Sequence, residues 1–184
     1  MPMCDAYIPA GALDEDTERT LISRVTAVLV DHEIRRIVDL VDDAAETERI
    51  RKRASAIAWA FVHRTQTYVA GLPAEAPVYK FVCQIPEGQI DDQFAPAVNR
   101  DIMQAVADAE VGRWPHLERR IWVFVQEIPD GAWGAAGMPR HLPDIIDFVA
   151  PGMGAIAQRR WDDKRAAQAR ATVELAAEHT EISA

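Results

Sequence analysis

Ile8-Pro9-Ala10-Gly11-Ala12-Leu13-Asp14 recurs 77 residues later as Ile85-Pro86-Glu87-Gly88-Gln89-Ile90-Asp91, and these paired stretches decide the fold. The shared pattern is Ile-Pro-x-Gly-x-(Leu/Ile)-Asp. Proline ends a strand because it has no N–H for the ladder, glycine permits a sharp turn, and aspartate caps a helix. A third Ile-Pro-x-Gly stands at Ile128-Pro129-Asp130-Gly131.

Outward from the first copy, residues 3–8 read as a strand. Leu21, Ile22, Val25, Val28 and Leu29 mark one face of a helix expected from about 14 to 32, capped by Asp14. Residues 33–53 read as a charged helical insertion that either continues this helix or packs beside it. Residues 56–64 read as a strand weakened by alanines, 65–71 as a short hairpin arm, and 72–77 as a loop. Val78–Ile85 is the clearest strand, rich in β-branched and aromatic residues. After the second turn, Asp91 is expected to cap a helix with apolar positions Phe94, Val98, Ile102, Met103 and Val106. Arg120–Ile128 reads as the fourth main strand. The order is strand-helix-strand twice over, which predicts an α/β (α+β) fold: a four-stranded sheet with two helices on one face. The other face would carry some of Trp59, Phe61, Tyr79, Phe81, Trp122 and Phe124, according to register. A bare apolar face needs a cover, so an oligomer is expected. From Pro143 onward the chain changes character: 142–149 is expected to dock on the body, and 155–179 to form a polar helix.

The chain has 184 residues, 49% of them hydrophobic, enough for a real core. A net charge of −9 opposes nucleic-acid and anionic-membrane partners. Two cysteines are too few for a disulfide framework. Met1–Asp5 has no signal-peptide pattern and no long apolar run follows, so a cytoplasmic protein is expected. Phosphate-loop, dinucleotide, serine-hydrolase and zinc motifs are absent from the sequence, and no metal or organic cofactor is expected.

These residues resemble the tautomerase superfamily, whose best-known members are 4-oxalocrotonate tautomerase and macrophage migration inhibitory factor. The features that carry the resemblance are Met1-Pro2 leading into a strand, the doubled β-α-β unit, and Ile121–Pro129 followed by Trp133-Gly134-Ala135-Ala136-Gly137. The layout is most similar to the cis-3-chloroacrylic acid dehalogenase branch. On this reading residues 1–150 are a tautomerase-like domain with units at about 2–71 and 77–137 and the 33–53 insertion, and 151–184 are a helical extension.

The resemblance implies a homotrimer and a small carbonyl substrate. It also implies catalysis by Pro2, exposed as the first residue once Met1 is removed. An α-amino group titrates near pH 8, and burial lowers that further, so the free amine is a general base near neutrality. The chain departs from the family at the carboxylate-binding arginines, whose positions fall on Pro86 and Gln89. The dehalogenase tyrosine falls on Phe124, the hairpin acid near Ala135, and a helix histidine on Leu29, with His32 nearby. Hydrolytic dehalogenation is therefore not expected. A compensating cation is sought among Lys80, Arg64 and Arg140 or His141, and an apolar wall from Phe124 and Trp133. Two rival readings share the same residues: a non-catalytic trimer of this fold that is structural or ligand-binding, and a dimeric ferredoxin-like α+β barrel.

Overall fold

The computed structural model describes residues 2–182. Strands β1 (Met3–Pro9), β2 (Trp59–Thr65), β5 (Tyr79–Pro86) and β6 (Ile121–Ile128) form one sheet in the order β2-β1-β5-β6. β1 and β2 are parallel, as are β5 and β6, while β1 and β5 run antiparallel. Each β-α-β unit thus joins adjacent strands. In the rival ferredoxin-like arrangement the β-α-β unit is split by an intervening strand.

The Ile-Pro-x-Gly turns repeat in three dimensions. Gly11, Gly88 and Gly131 all have positive φ, at 77°, 93° and 81°. In each turn the proline carbonyl accepts an N–H three residues on, from Ala12 (3.1 Å), Gln89 (3.4 Å) and Ala132 (2.9 Å). The second and third turns are laced together. Glu127 Oε1 accepts the Gly88 N–H at 2.7 Å, and Glu87 Oε2 accepts the Asp130 N–H at 2.8 Å.

Helix α1 (Glu15–Val38) is capped by Asp14, whose side chain accepts the Thr17 N–H at 2.8 Å. The 33–53 stretch does both things expected of it: its first part continues α1 past residue 32 to Val38, and its remainder packs beside α1. Residues His32 and Glu33, polar in a helix interior, bond Asp101 and Gln89. The remainder of the 33–53 stretch forms α2 (Ala44–Ala56), which takes up Ala54–Ala56 and delays β2 to Trp59. Tyr68–Val69 (β3) and Leu72–Pro73 (β4) make a small hairpin.

The second long helix, α3, spans Phe94–Glu110 and is flanked by Gln93, not Asp91. Asp91 Oδ1 accepts the Gln93 N–H at 3.1 Å, while its Oδ2 pairs with Arg36 at 2.7 Å and Arg35 at 3.3 Å. Met103 is 38% exposed, so it leaves the predicted buried stripe of Phe94, Val98, Ile102 and Val106.

α1 and α3 cover one face of the sheet. The main core joins Cys4, Ala6 and Ile8 of β1 to Tyr79, Phe81, Cys83 and Ile85 of β5, with Leu21, Val25, Leu29, Phe94, Val98, Ile102 and Val106 above them. Tyr79 and Phe81 therefore belong to the helix side. Cys4 and Cys83, directly opposed across the strands, are both buried free thiols. The neighbouring Cys83 and burial push the Cys4 thiol far above its ordinary range. A second core packs α1 and α2 against α4 (Leu142–Val149) through Val30, Ile34, Ile37, Ile50, Ala54, Leu142, Ile146 and Val149. The hairpin β7 (Trp133–Ala135) and β8 (Met138–Arg140) leads into α4, and α5 (Gly154–Ile182) follows it. The hairpin turns through Ala136 and Gly137, both at positive φ (54° and 74°), which is the turn twist that matches paired strands.

Candidate functional site

β1 and β2 start side by side, with Met3 opposite Trp59. Over this end of the sheet fold the hairpin and α4. Between them lies a cavity of about 530 Å³. Met3 and Trp59 contribute from the strands, Ala56 and Ile57 from the end of α2, and Trp133–Ala136 and Arg140 from the hairpin. Asp144, Ile145 and Phe148 close it from α4. Pro2, the residue before Met3, is buried. The volume falls within the range of small-molecule sites, roughly 300–1,000 Å³.

Trp133 and Arg140 are cross-strand partners, so they share a face of the hairpin. Trp133 is 8% exposed and Arg140 half-buried. Among the described residues the Arg140 guanidinium has no ion-pair partner. Asp144 does have a partner: its Oδ2 accepts the His141 N–H at 3.3 Å.

The hairpin is fastened at its base by Asp130. One carboxylate oxygen accepts the Leu142 N–H at 2.9 Å, and the other meets His141 Nδ1 at 2.8 Å. Burial by itself would raise the Asp130 carboxyl. The His141 ring and the Leu142 N–H outweigh it and hold the group below its usual range. Asp130 in turn raises the His141 imidazole.

Lys80 and Phe124 lie elsewhere, on the sheet face that carries no helix. Strand register sets this face out in rows. Trp59, Met3, Gln84 and Gln126 form one row; Phe61, Asp5, Val82 and Phe124 the next; His63, Tyr7, Lys80 and Trp122 the third. Lys80 Nζ sits 4.6 Å from the Tyr7 ring centre and 5.9 Å from that of Phe124. His63 stacks on Tyr7 at 4.5 Å and meets Asp5 at 2.7 Å. Trp59, Phe61, Trp122 and Phe124 are 59%, 50%, 65% and 40% exposed.

Arg64 is on the opposite, helix side, bonded to Glu18 of α1 at 2.6 Å. Within one chain, then, the cavity gathers Trp133 and Arg140 with Met3, the residue after Pro2, but not Lys80, Phe124 or Arg64. Gln89, at one family arginine position, is buried and donates to Glu33 Oε1 at 3.3 Å. His32 is not a group at a helix end; it meets Asp101 of α3 at 2.7 Å from within α1.

Sequence reasoning missed Asp130, Asp144 and Phe148. The available signal was the strongly amphipathic run Leu142–Val149, which had to bury one face and present the other. Among the described residues no group of three or more His, Cys, Asp or Glu is placed to hold a metal, and no helix is long and apolar enough to cross a membrane.

No family model and no curated protein matches the sequence. Solved structures do match the fold. N1, a member of the cis-3-chloroacrylic acid dehalogenase family, is 15% identical with a TM-score of 0.54, over 87% of this chain and 99% of that one. An asymmetric trimer of wild-type F6 fused 4-OT is 15% identical with a TM-score of 0.54, over 74% and 94%. Pt0534 inactivated by 2-oxo-3-pentynoate is 16% identical with a TM-score of 0.55, over 74% and 94%. At these identities the likeness speaks for the fold alone, and it agrees with the doubled β-α-β unit, the turn repeat and the hairpin: the chain has the tautomerase-superfamily fold.

Proposed function

We propose that this chain is a keto–enol tautomerase that uses Pro2 as general base on a small carbonyl compound, within a homotrimer. The observation that carries the reading is the placement of Pro2: buried, and one residue from the wall of an apolar cavity of about 530 Å³. Removal of Met1 makes the Pro2 nitrogen a secondary amine. Burial disfavours its charged form and leaves it able to accept a proton at neutral pH. The amine takes the enol proton and a proton is delivered to the adjacent carbon, so no atom is gained or lost. The bare aromatic sheet face supports the trimer, as does the trimeric state of the fused 4-OT neighbour. Phe124 and Lys80 would reach a site only from a neighbouring subunit.

Intact mass must show Met1 removed, and NMR titration of Pro2 must give an amine below the ordinary value near 8. Pro2→Ala should cut enol-to-keto turnover by roughly 10²–10⁴-fold, the usual share of a positioned base. Retained Met1, or full turnover in Pro2→Ala, refutes the proposal. The alternative is a non-catalytic trimer, favoured by one observation: Gln89 stands where an arginine is expected and is already bonded to Glu33. Wild-type protein with a trimmed, shifted amine but no enol turnover would support it.

A further inference from the structure

We infer that Arg140 is the carboxylate anchor of this cavity, and that Asp144 restricts it to carbonyl compounds with one carboxylate on an apolar body. The inference rests on the reading of the cavity as the substrate site. Arg140 is the cation in the wall, half-buried beside Trp133 and unpaired among the described residues. A guanidinium in apolar surroundings is a strong bidentate partner for a planar carboxylate.

The rest of the wall selects the body of the ligand. Trp59, Trp133, Ile57, Ile145 and Phe148 offer aromatic and branched aliphatic surface. Asp144 lies on the same wall, four residues after Arg140, with one oxygen held by the His141 N–H. A fixed anion there repels a second carboxylate on the ligand. Both Asp144 and Phe148 belong to α4, so the specificity comes from a helix beyond the doubled β-α-β unit.

The test is calorimetric binding to the full-length protein of three matched compounds: 3-phenylpropanoate, its methyl ester, and 3-(4-carboxyphenyl)propanoate. The monoanion is expected to bind, and the ester and the dianion at least about tenfold more weakly. Arg140→Leu should weaken the monoanion by roughly 10–150-fold, the worth of a charged hydrogen-bonded contact, while leaving the ester unchanged. Arg140→Lys should recover part of the loss. Asp144→Asn should bring the dianion to within a few-fold of the monoanion. Equal monoanion affinity in Arg140→Leu, or a dianion that binds wild type as well as the monoanion does, overturns the inference. Turnover separates it from the proposal above. Loss of affinity in Arg140→Leu with no turnover in wild type sinks the tautomerase reading alone. Pro2-dependent turnover with Arg140→Leu affinity intact sinks this one alone.

Discussion

Replacing Arg120 by methionine should be among the most damaging single changes in this chain. Arg120 and Glu110 are 7% and 3% exposed. All five guanidinium N–H groups are used. Nε donates to the Pro115 carbonyl at 2.9 Å. Nη1 donates to the Pro77 carbonyl at 2.7 Å and to Glu110 Oε1 at 2.8 Å. Nη2 donates to Glu110 Oε2 at 2.6 Å and to the Trp114 carbonyl at 3.2 Å. The Arg120 carbonyl also accepts the Tyr79 N–H at 2.7 Å, so the side chain fixes the point where β5 and β6 begin. Methionine fills much of the volume but strands a buried carboxylate and three carbonyls. Breaking a buried pair from one side costs about 3–5 kcal/mol. For a chain of this size that is roughly 6–20 °C in Tm, at about 2–4 °C per kcal/mol. Lysine, with three donors and no fork, should fall between wild type and methionine. The decisive comparison is Arg120→Met with Arg120→Met/Glu110→Leu, by urea unfolding at fixed protein concentration. Removing the stranded charge should return part of the lost stability. A single mutant within about 1 kcal/mol of wild type, or a double mutant worse than the single, would falsify the account of the pair as a coupled clamp.

Two further outcomes are expected. The His141–Asp130 contact ties stability to pH from both sides. His141 is raised, so its contribution is complete below its ordinary value of 6.5 and is lost as pH rises through the raised one. Asp130 is lowered, so its contribution is complete above its ordinary value of 3.8 and is lost as pH falls through the lowered one. Tm against pH should therefore decline on the alkaline side, and His141→Gln should flatten that limb; an identical slope in the variant would remove this contact as the cause. On the sheet face, Trp122→Asp should release protomers. Trp122 is 65% exposed in the single chain, and covering that surface is worth about 3 kcal/mol. Light scattering after gel filtration should show a smaller mass than wild type, and a monomeric wild type would defeat the trimer.

The repeat made the architecture legible because its chemistry is local. A proline, a glycine at positive φ and a capping aspartate act within one turn, so Ile8–Asp14 could be read without knowing what packs on it. Asp91 shows the limit. It accepts the Gln93 N–H through one oxygen, but the helix is flanked by Gln93 and the other oxygen is held by two arginines of α1. Strand facing was harder. In Val78–Ile85 only Lys80 and Gln84 are polar, so the alternation that puts Tyr79 and Phe81 under the helices and Val82 outside rests on two positions. The cavity was the least legible. Trp133 and Arg140 could be singled out from their place after the last strand, but Ile57, Ile145 and Phe148 meet them only through the packing of α2 on α4, a contact between segments that share no sequence pattern.

That packing also explains why the turn after β5 lacks the expected arginines. Where the second turn enters its helix, Gln89 is covered by Glu33, and Asp91 by Arg35 and Arg36, all on the part of α1 beyond residue 32. Only about 10 Å³ of space remains among Glu33, Gln89, Ile57, Ile145 and their neighbours. That is near the minimum for one water and far below any carboxylic substrate. An arginine at position 89 would have its charge taken by Glu33 before a ligand arrived. The same helices that close this route, α1's last turns with α2 and α4, leave the larger cavity on the hairpin side. Arg140 lines that cavity. Extending α1 past residue 32 and packing α4 behind it are thus one structural change: it fills the space at the second turn and supplies a wall of the cavity that Arg140 lines.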